Sequence, residues 1–155
     1  MILRTATARD LDALTAVEAA CFPAAEAATC EELAERLRAY GDHFWLLFDG
    51  ETLVSFVDGM VTDLPDLTDE MYADTSFHDE NGAWQMIFGV NTLPAYRKQG
   101  FAGRLLERAI ADAKAQGRKG LVLTCKDRLV HYYAKFGFVN EGVSESVHGG
   151  VTWYQ

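Results

Sequence analysis

The chain of 155 residues is poor in cysteine and proline, with three of each, and has no apolar run long enough to span a bilayer. An odd number of cysteines without metal-like spacing argues against a disulfide framework and favours a reducing compartment, the cytoplasm. No membrane segment is expected, and the first residues lack the features of a signal peptide. Four scattered histidines without paired spacing predict no metal site. The length predicts one domain, residues 1–155.

Basic residues are absent from one long segment. Residues 1–38 carry four basic residues (Lys or Arg) and seven acidic residues (Asp or Glu). Residues 39–96 carry no basic and eleven acidic residues, and residues 97–155 carry ten basic and five acidic residues. The net charge of −9 therefore divides into −3, −11 and +5. No segment offers a dense basic stripe, which excludes non-specific nucleic-acid binding. The change of sign between Tyr96 and Arg97 still leaves room for a small anionic ligand in the C-terminal part.

Apolar periodicity predicts a mixed α/β domain built on one sheet. Strands are predicted at residues 2–6, 44–48, 52–61, 84–90, 121–125, 138–143 and 150–154. Helices are predicted at residues 8–21, after the capping pair Thr29 and Glu32, at 100–116 and at 127–135. In the second helix, Leu33 and Leu37 should face the core, while Arg36 and its charged neighbours should face water. Residues 63–82 are acidic and aperiodic, and are expected to form a long loop or a partly helical excursion.

The junction where the charge changes sign reads Arg97-Lys-Gln-Gly-Phe-Ala-Gly103 and precedes the strongest amphipathic helix. A helix N-terminus has unpaired backbone N–H groups and a partial positive charge. Small side chains at Gly100, Ala102 and Gly103 would let an anion approach these groups. The segment fits neither a P-loop nor Gly-x-Gly-x-x-Gly, which disfavours a triphosphatase or dinucleotide site. Spacing alone leaves an ordinary strand–loop–helix corner as an equally good interpretation.

Arg97-x-x-Gly100-x-Ala102 resembles the R/Q-x-x-G-x-G/A pyrophosphate motif of the GNAT superfamily of N-acetyltransferases. A second similarity, to the arylalkylamine (serotonin) N-acetyltransferase branch, is carried by Leu123-Thr-Cys-Lys-Asp-Arg-Leu-Val-His-Tyr-Tyr-Ala-Lys-Phe-Gly-Phe138. Glu18-Ala-Ala-Cys-Phe22 and residues 48–56 are also similar to that branch. These stretches follow the family order and cover most of the chain, which is thereby identified as a member of the superfamily.

The resemblance implies a single-domain GNAT fold. Its mixed, mostly antiparallel sheet would have six to seven strands with splayed central strands, flanked by about four helices. The resemblance also implies acetyl-CoA as donor and a primary amine as acceptor. By position, backbone groups of Val90, Asn91 and Thr92 would contact the pantetheine and the acetyl carbonyl. The pyrophosphate would be held by Arg97, Lys98, Gln99, Gly100, Phe101, Ala102 and Gly103.

Tyr133 matches the general-acid tyrosine of the family. A phenol within hydrogen-bond reach of the CoA sulfur can protonate the leaving thiolate. Without the resemblance, a packing role beside Tyr132 and Phe136 would be the simpler interpretation. Cys125 matches a cysteine beside the CoA path, but the superfamily transfers its acyl group directly, so a buried and inert thiol is expected.

The general base has no direct match to the vertebrate arylalkylamine enzymes. Met86 and Phe88 stand where those enzymes carry a histidine pair. The expected substitute is Glu26, because the insect relatives place a catalytic glutamate in a similar loop. Asp58 and His78 are weaker candidates. For each of these residues, a solvated surface group is the alternative interpretation.

The sequence is compatible with several acceptors and with more than one oligomeric state. The acidic middle segment is expected to attract a cationic amine, and several aromatic residues could line its pocket: Phe22, Phe44, Trp45, Phe56, Trp84 and Phe88. The acceptor could be an arylalkylamine, a polyamine or a protein or peptide amine, and a non-catalytic acyl-CoA sensor is the alternative to an enzyme. The closing strands could pair with a second copy, so both a monomer and a homodimer are compatible with the sequence.

Overall fold

The computed structural model describes residues 1–142, apart from the side chain of Asp127. The strands are β1 (Ile2–Thr5), β2 (Phe44–Asp49), β3 (Thr52–Asp58), β4 (Val61–Thr62), β5 (Trp84–Ile87), β6 (Gly89–Thr92) and β7 (Gly120–Leu123). The helices are α1 (Leu11–Cys21), α2 (Cys30–Tyr40), α3 (Glu70–Ala73), α4 (Phe101–Ala115) and α5 (Val130–Ala134). Among these residues, no helix is both long and apolar enough to cross a membrane.

The strands form two sheets, one in the order β1-β2-β3-β6 and one in the order β4-β5-β7. Every pair is antiparallel except β5 with β7, so the predicted mixed, mostly antiparallel arrangement is confirmed. Side chains alternate between the two faces of β2. Phe44 and Leu46 join the apolar cluster that includes residues of α1 and α2. Trp45 and Leu47 join the cluster that includes residues of α4 and α5.

Two long predicted strands are each broken in two. The segment 52–61 divides into β3 and β4 around Gly59, and the segment 84–90 divides into β5 and β6 at Phe88. A Cβ atom on Gly59 would lie 1.8 Å from the carbonyl oxygen of Met86, so this crossing requires glycine. After the break, β5 stays paired with β4 and β7, whereas β6 pairs with β3.

The break also splays the central strands, as expected for the fold. The parallel register of β5 and β7 ends at the pair Ile87 and Leu123. Beyond it, β6 follows β3, and no strand of residues 1–142 pairs with its other edge. A gap therefore opens between the end of β7 and β6.

Other sequence predictions need correction. The first helix begins with a 3-10 turn at Ala8–Asp10, and the strand predicted at 121–125 ends at Leu123. The strand predicted at 138–143 is wrong for residues 138–142, because they pair with no strand in the described part of the chain. The strand predicted at 150–154 lies outside the described residues. Arg36 was expected to face water but is only 3% exposed.

Candidate active site

The edge of β6 brings the three predicted pantetheine-binding residues to the gap. Val90 and Thr92 are half-buried, and Asn91 is fully buried. On the other edge of β6, the strand pairs with β3 from Ser55 to Asp58. An unpaired strand edge presents backbone N–H and C=O groups that can bind an extended amide-containing chain.

The residues of the predicted anion site form a tight turn into α4. Lys98 and Gly100 have φ angles of 64° and 80°, in the left-handed region that is strained for lysine and free for glycine. Helix α4 then begins at Phe101 without a side-chain cap, so its first N–H groups are available to an anion. The Arg97 Nε donates to the Thr92 carbonyl oxygen at 3.1 Å and ties this turn to the end of β6.

Different physical reasons account for the residues that occupy this turn. Gln99 and Gly100 are exposed and Ala102 is half-buried, so they leave the approach to the helix end open. Gly103 is buried, and a Cβ there would lie 3.1 Å from the ring of Phe136. Close packing of α4 on that ring therefore explains Gly103, as the simpler interpretation of the motif suggested, while the open approach explains the other positions.

A cavity of about 100 Å³ adjoins the gap, where the break at Phe88 faces α1, α2 and α5. Its walls carry three carboxylates, those of Glu18, Glu26 and Glu32. They also carry aromatic and thiol groups, from Phe22, Tyr72, Phe88, Cys125 and Tyr133. The structure thus brings the predicted pair Tyr133 and Glu26 to the walls of one cavity.

Tyr133 lies on α5 and is 8% exposed. Its ring packs edge-on against Tyr132, with centroids 5.1 Å apart, and against Phe138, at 6.0 Å. Burial raises the pKa of the Tyr133 phenol well above its usual value, with the nearby Cys125 thiol adding to the effect. The hydroxyl, like that of an ordinary tyrosine, is protonated at neutral pH and can donate a hydrogen bond or a proton into the cavity.

Glu26 is buried in the loop between α1 and α2. The Lys126 ammonium lies 2.8 Å from its carboxylate, and links this loop to the segment between β7 and α5. The negative charge of Glu26 at the cavity wall is thus already matched by one cation. An acceptor ammonium would share this carboxylate with Lys126 or displace it.

A buried charge cluster stands behind the same cavity. Arg36 donates to Asp58 Oδ2 at 3.1 Å and to the Tyr72 carbonyl oxygen at 2.9 Å, with its guanidinium 5.1 Å from the Phe88 ring centroid. Asp58 is 0% exposed. The second carboxylate of the cluster is Glu18, whose Oε2 accepts from the backbone N–H of Ala28 at 2.9 Å.

Both carboxylates converge on Gly89, beside the strand break. A Cβ on Gly89 would lie 2.9 Å from Asp58 Oδ1 and 3.5 Å from Glu18 Oε1, so only glycine fits between them. Burial, and then the charge of Asp58, raise the pKa of Glu18 to about 7. Burial likewise raises the pKa of Asp58. The site thus contains a carboxyl group that changes charge near neutral pH.

Sequence reasoning missed Glu18 and Arg36 as site residues, although the helical spacing contains a signal. Glu18 follows Leu14 by four residues on the apolar stripe of α1, and Arg36 follows Leu33 by three on that of α2. A charged residue at a core-facing position needs a partner or a function.

Neither of the weaker base candidates lines this cavity. Asp58 is buried under Arg36, and His78 belongs to a cluster with His43 and Glu80 whose possible metal ligands lie within 4.8 Å of one another. The Val61 backbone N–H donates to His78 Nδ1 at 3.1 Å, so a neutral His78 carries its proton on Nε2, which points at Glu80. That nitrogen has no lone pair for a metal. The cluster is therefore a hydrogen-bond network.

The structure shows where the acidic and aromatic residues singled out from the sequence lie relative to the cavity. The cavity carboxylates come from residues 1–38, whereas the acidic middle segment contributes Asp58 behind the wall. Of the six aromatic candidates, Phe22 and Phe88 line the cavity. Phe44, Trp45 and Phe56 are core residues.

Comparison with known proteins agrees with this fold. The acetyltransferase (GNAT) family model matches residues 11–138 of the chain. A GNAT-like decarboxylase, GphF in complex with isobutyryl-CoA, shares 24% identity over 99% of this chain and 96% of its own, with a TM-score of 0.80. A GNAT-family acetyltransferase from Streptococcus pneumoniae shares 22% identity over 99% and 95%, with a TM-score of 0.71. A predicted acetyltransferase from Clostridium acetobutylicum with acetyl-CoA shares 17% identity over 94% and 96%, with a TM-score of 0.67. No curated protein matches the chain.

Proposed function

Because the chain belongs to the acetyltransferase (GNAT) family, we propose that it transfers the acetyl group of acetyl-CoA to the primary amine of a small cationic molecule. The observation that carries this proposal is the shared cavity of Tyr133, a buried proton donor, and the carboxylates Glu18 and Glu26. A proton donor for the leaving thiolate and a carboxylate for the ammonium are the two groups that the reaction needs.

The donor site is supported by two features already described. The uncapped start of α4, with Arg97 and Lys98 beside it, suits the negative pyrophosphate. The open edge of β6 suits the amides of the pantetheine arm, which would extend toward the cavity. The residues from Val90 to Thr92 would then orient the acetyl carbonyl opposite Tyr133.

In the transfer step, the neutral amine attacks the thioester carbonyl, a C–N bond forms and the C–S bond breaks. Tyr133 donates its phenolic proton to the departing sulfur and regains one from the nitrogen that becomes the amide. Before this attack, the acceptor ammonium loses one proton to a carboxylate and becomes the neutral amine. Glu26 is proposed to face the acceptor ammonium at the cavity wall, where it already binds the Lys126 cation.

The cavity volume bears on the acceptor class. An engineered cavity of about 150 Å³ holds a benzene ring in one protein interior, and this cavity measures about 100 Å³. An amine on a narrow aliphatic chain, such as a polyamine end, therefore fits inside. An arylalkylamine would place only its amino end there and leave its ring outside the cavity.

The test is release of free thiol from acetyl-CoA with spermidine, phenethylamine, tryptamine and a lysine peptide as acceptors. Selective release with one amine class supports the proposal and identifies the acceptor. Binding of CoA without release for any amine overturns it in favour of a sensor. Loss of CO₂ from a dicarboxylic acyl-CoA without any amine would instead favour the chemistry of the GphF protein.

Arg97→Ala is expected to raise the KM for acetyl-CoA about tenfold, because one charge-assisted contact to a phosphate is lost at an exposed site. The kcat at saturating acetyl-CoA should change little. Steady-state kinetics over a range of acetyl-CoA concentrations measure both. Lys114→Ala, at the other end of α4, is the matched control for loss of one positive charge. An equal rise in KM for both variants would remove Arg97 from the pyrophosphate site.

A further inference from the structure

Glu18 stands out among the buried polar groups of the described chain. It lines the acceptor cavity, yet it is only 5% exposed. Its Oε2 accepts a hydrogen bond from the Ala28 N–H. Its Oε1 is buried and has no well-formed hydrogen bond to residues 1–142. The side-chain amide of Asn91 is near enough to stabilise the charge of this carboxylate. A buried carboxylate oxygen with incomplete hydrogen bonding of this kind is suited to accept a proton.

The charges around Glu18 do not cancel. The buried carboxylates of Glu18 and Asp58 lie near a single guanidinium, that of Arg36. Arg36 donates its hydrogen bonds to Asp58 and to the Tyr72 carbonyl oxygen. One negative charge is therefore in excess when both carboxylates are ionised. The titratable or charged groups that face Glu18 or share its cavity are Cys21, Glu26, Glu32, Arg36, Asp58, Tyr72, Cys125 and Tyr133.

We propose that Glu18 is the group that takes the proton from the acceptor ammonium, and that Glu26 binds this ammonium without being its base. The inference rests on the proposed function. In the step, R–NH₃⁺ and the Glu18 carboxylate become R–NH₂ and the neutral Glu18 carboxyl group. The amine then attacks the thioester, and Glu18 later releases its proton to water.

Burial, and then the pair with Asp58, bring the proton affinity of Glu18 closer to that of an amine. Both carboxylates approach Gly89, so a proton on Glu18 removes a like-charge repulsion inside the fold. The proton removes the excess charge and leaves Asp58 bound to Arg36. Glu26 has no such excess of negative charge beside it to be relieved by a proton, since the Lys126 ammonium already lies 2.8 Å from its carboxylate.

Glu18→Gln is expected to lower kcat about a hundredfold at pH 7, the lower range for loss of a general base. In the wild type, kcat should fall as the pH drops below about 7, where Glu18 becomes protonated. The variant should lack this fall. Glu26→Gln should raise the amine KM and keep the pH profile, and Glu35→Gln, an exposed carboxylate on α2, is the charge control.

An acceptor that arrives deprotonated separates a base from a structural residue. Trifluoroethylamine is mostly neutral at pH 7.5, so Glu18→Gln should transfer acetyl to it nearly as fast as the wild type does. An equal defect with this amine and with an ordinary one, or an unchanged pH profile, would overturn the assignment. Absence of thiol release by the wild type with every amine would instead overturn the proposed function.

A stability measurement tests Glu18 without any turnover. Folding raises the pKa of Glu18 from its ordinary 4.5 to about 7, so ionisation of Glu18 destabilises the folded state. This destabilisation is absent below pH 4.5 and reaches its full size above about pH 7. The Tm of Glu18→Gln should therefore exceed that of the wild type at pH 8, and the difference should vanish near pH 4.5. A difference that does not depend on pH would show that Glu18 takes up no proton in the fold.

Discussion

Replacing Tyr133 with Phe should lower kcat about a thousandfold, because general-acid catalysis typically contributes a hundredfold to ten-thousandfold. The affinity for acetyl-CoA should stay unchanged. Phenylalanine fills the same space and keeps the ring contacts with Tyr132 and Phe138. What it removes is the hydroxyl of a buried phenol, and with it the proton for the leaving thiolate.

Single-turnover kinetics with saturating acetyl-CoA and amine measure this effect apart from product release, and calorimetry measures CoA affinity. Tyr132→Phe is the matched control, since it removes the same hydroxyl from the preceding residue, which is half-buried and does not line the cavity with the carboxylates. Equal turnover in the wild type and the Tyr133 variant would show that the phenol only packs.

The second large effect concerns stability. Arg36→Met should destabilise the protein by about 3–5 kcal/mol, as expected when one partner of a buried ion pair is removed. Asp58, which is 0% exposed, loses its guanidinium 3.1 Å away, and the Tyr72 carbonyl oxygen loses a donor. For a chain of this size, such a loss corresponds to a fall in Tm of roughly 10 °C.

Chemical denaturation with urea measures the free energy of unfolding, and Arg38→Met, an exposed arginine on the same helix, is the control. Adding Asp58→Asn to Arg36→Met should recover part of the loss, because no unpaired charge then stays buried. A double variant that is as unstable as the sum of the two single variants would show that the two residues are not coupled.

Elements with strong local signals were predictable from the sequence. Helix α2 begins after Thr29, whose side chain accepts from the Glu32 N–H at 3.2 Å, as the capping pair indicated. Helix α4 follows its amphipathic spacing. Such features depend on contacts within one turn of chain, which a pattern of neighbouring residues expresses directly.

The strand breaks were not predictable in the same way. An apolar run such as residues 84–90 is compatible with one strand or with two that belong to different sheets. The break at Phe88 follows from the close approach of Gly59 to Met86, and these residues are distant in sequence. The burial of Arg36 likewise depends on Asp58, which belongs to another element.

The sequence by itself indicated the family, a candidate anion-binding turn before α4, and Tyr133 as the proton donor to test. Each of these rests on residues that are near neighbours in the chain. Only the tertiary structure decided which carboxylates share a cavity with Tyr133, and that the pKa of Glu18 is raised. Those properties arise from burial and from partners on separate elements, since a carboxyl group such as that of Glu18 acquires its pKa from the fold around it.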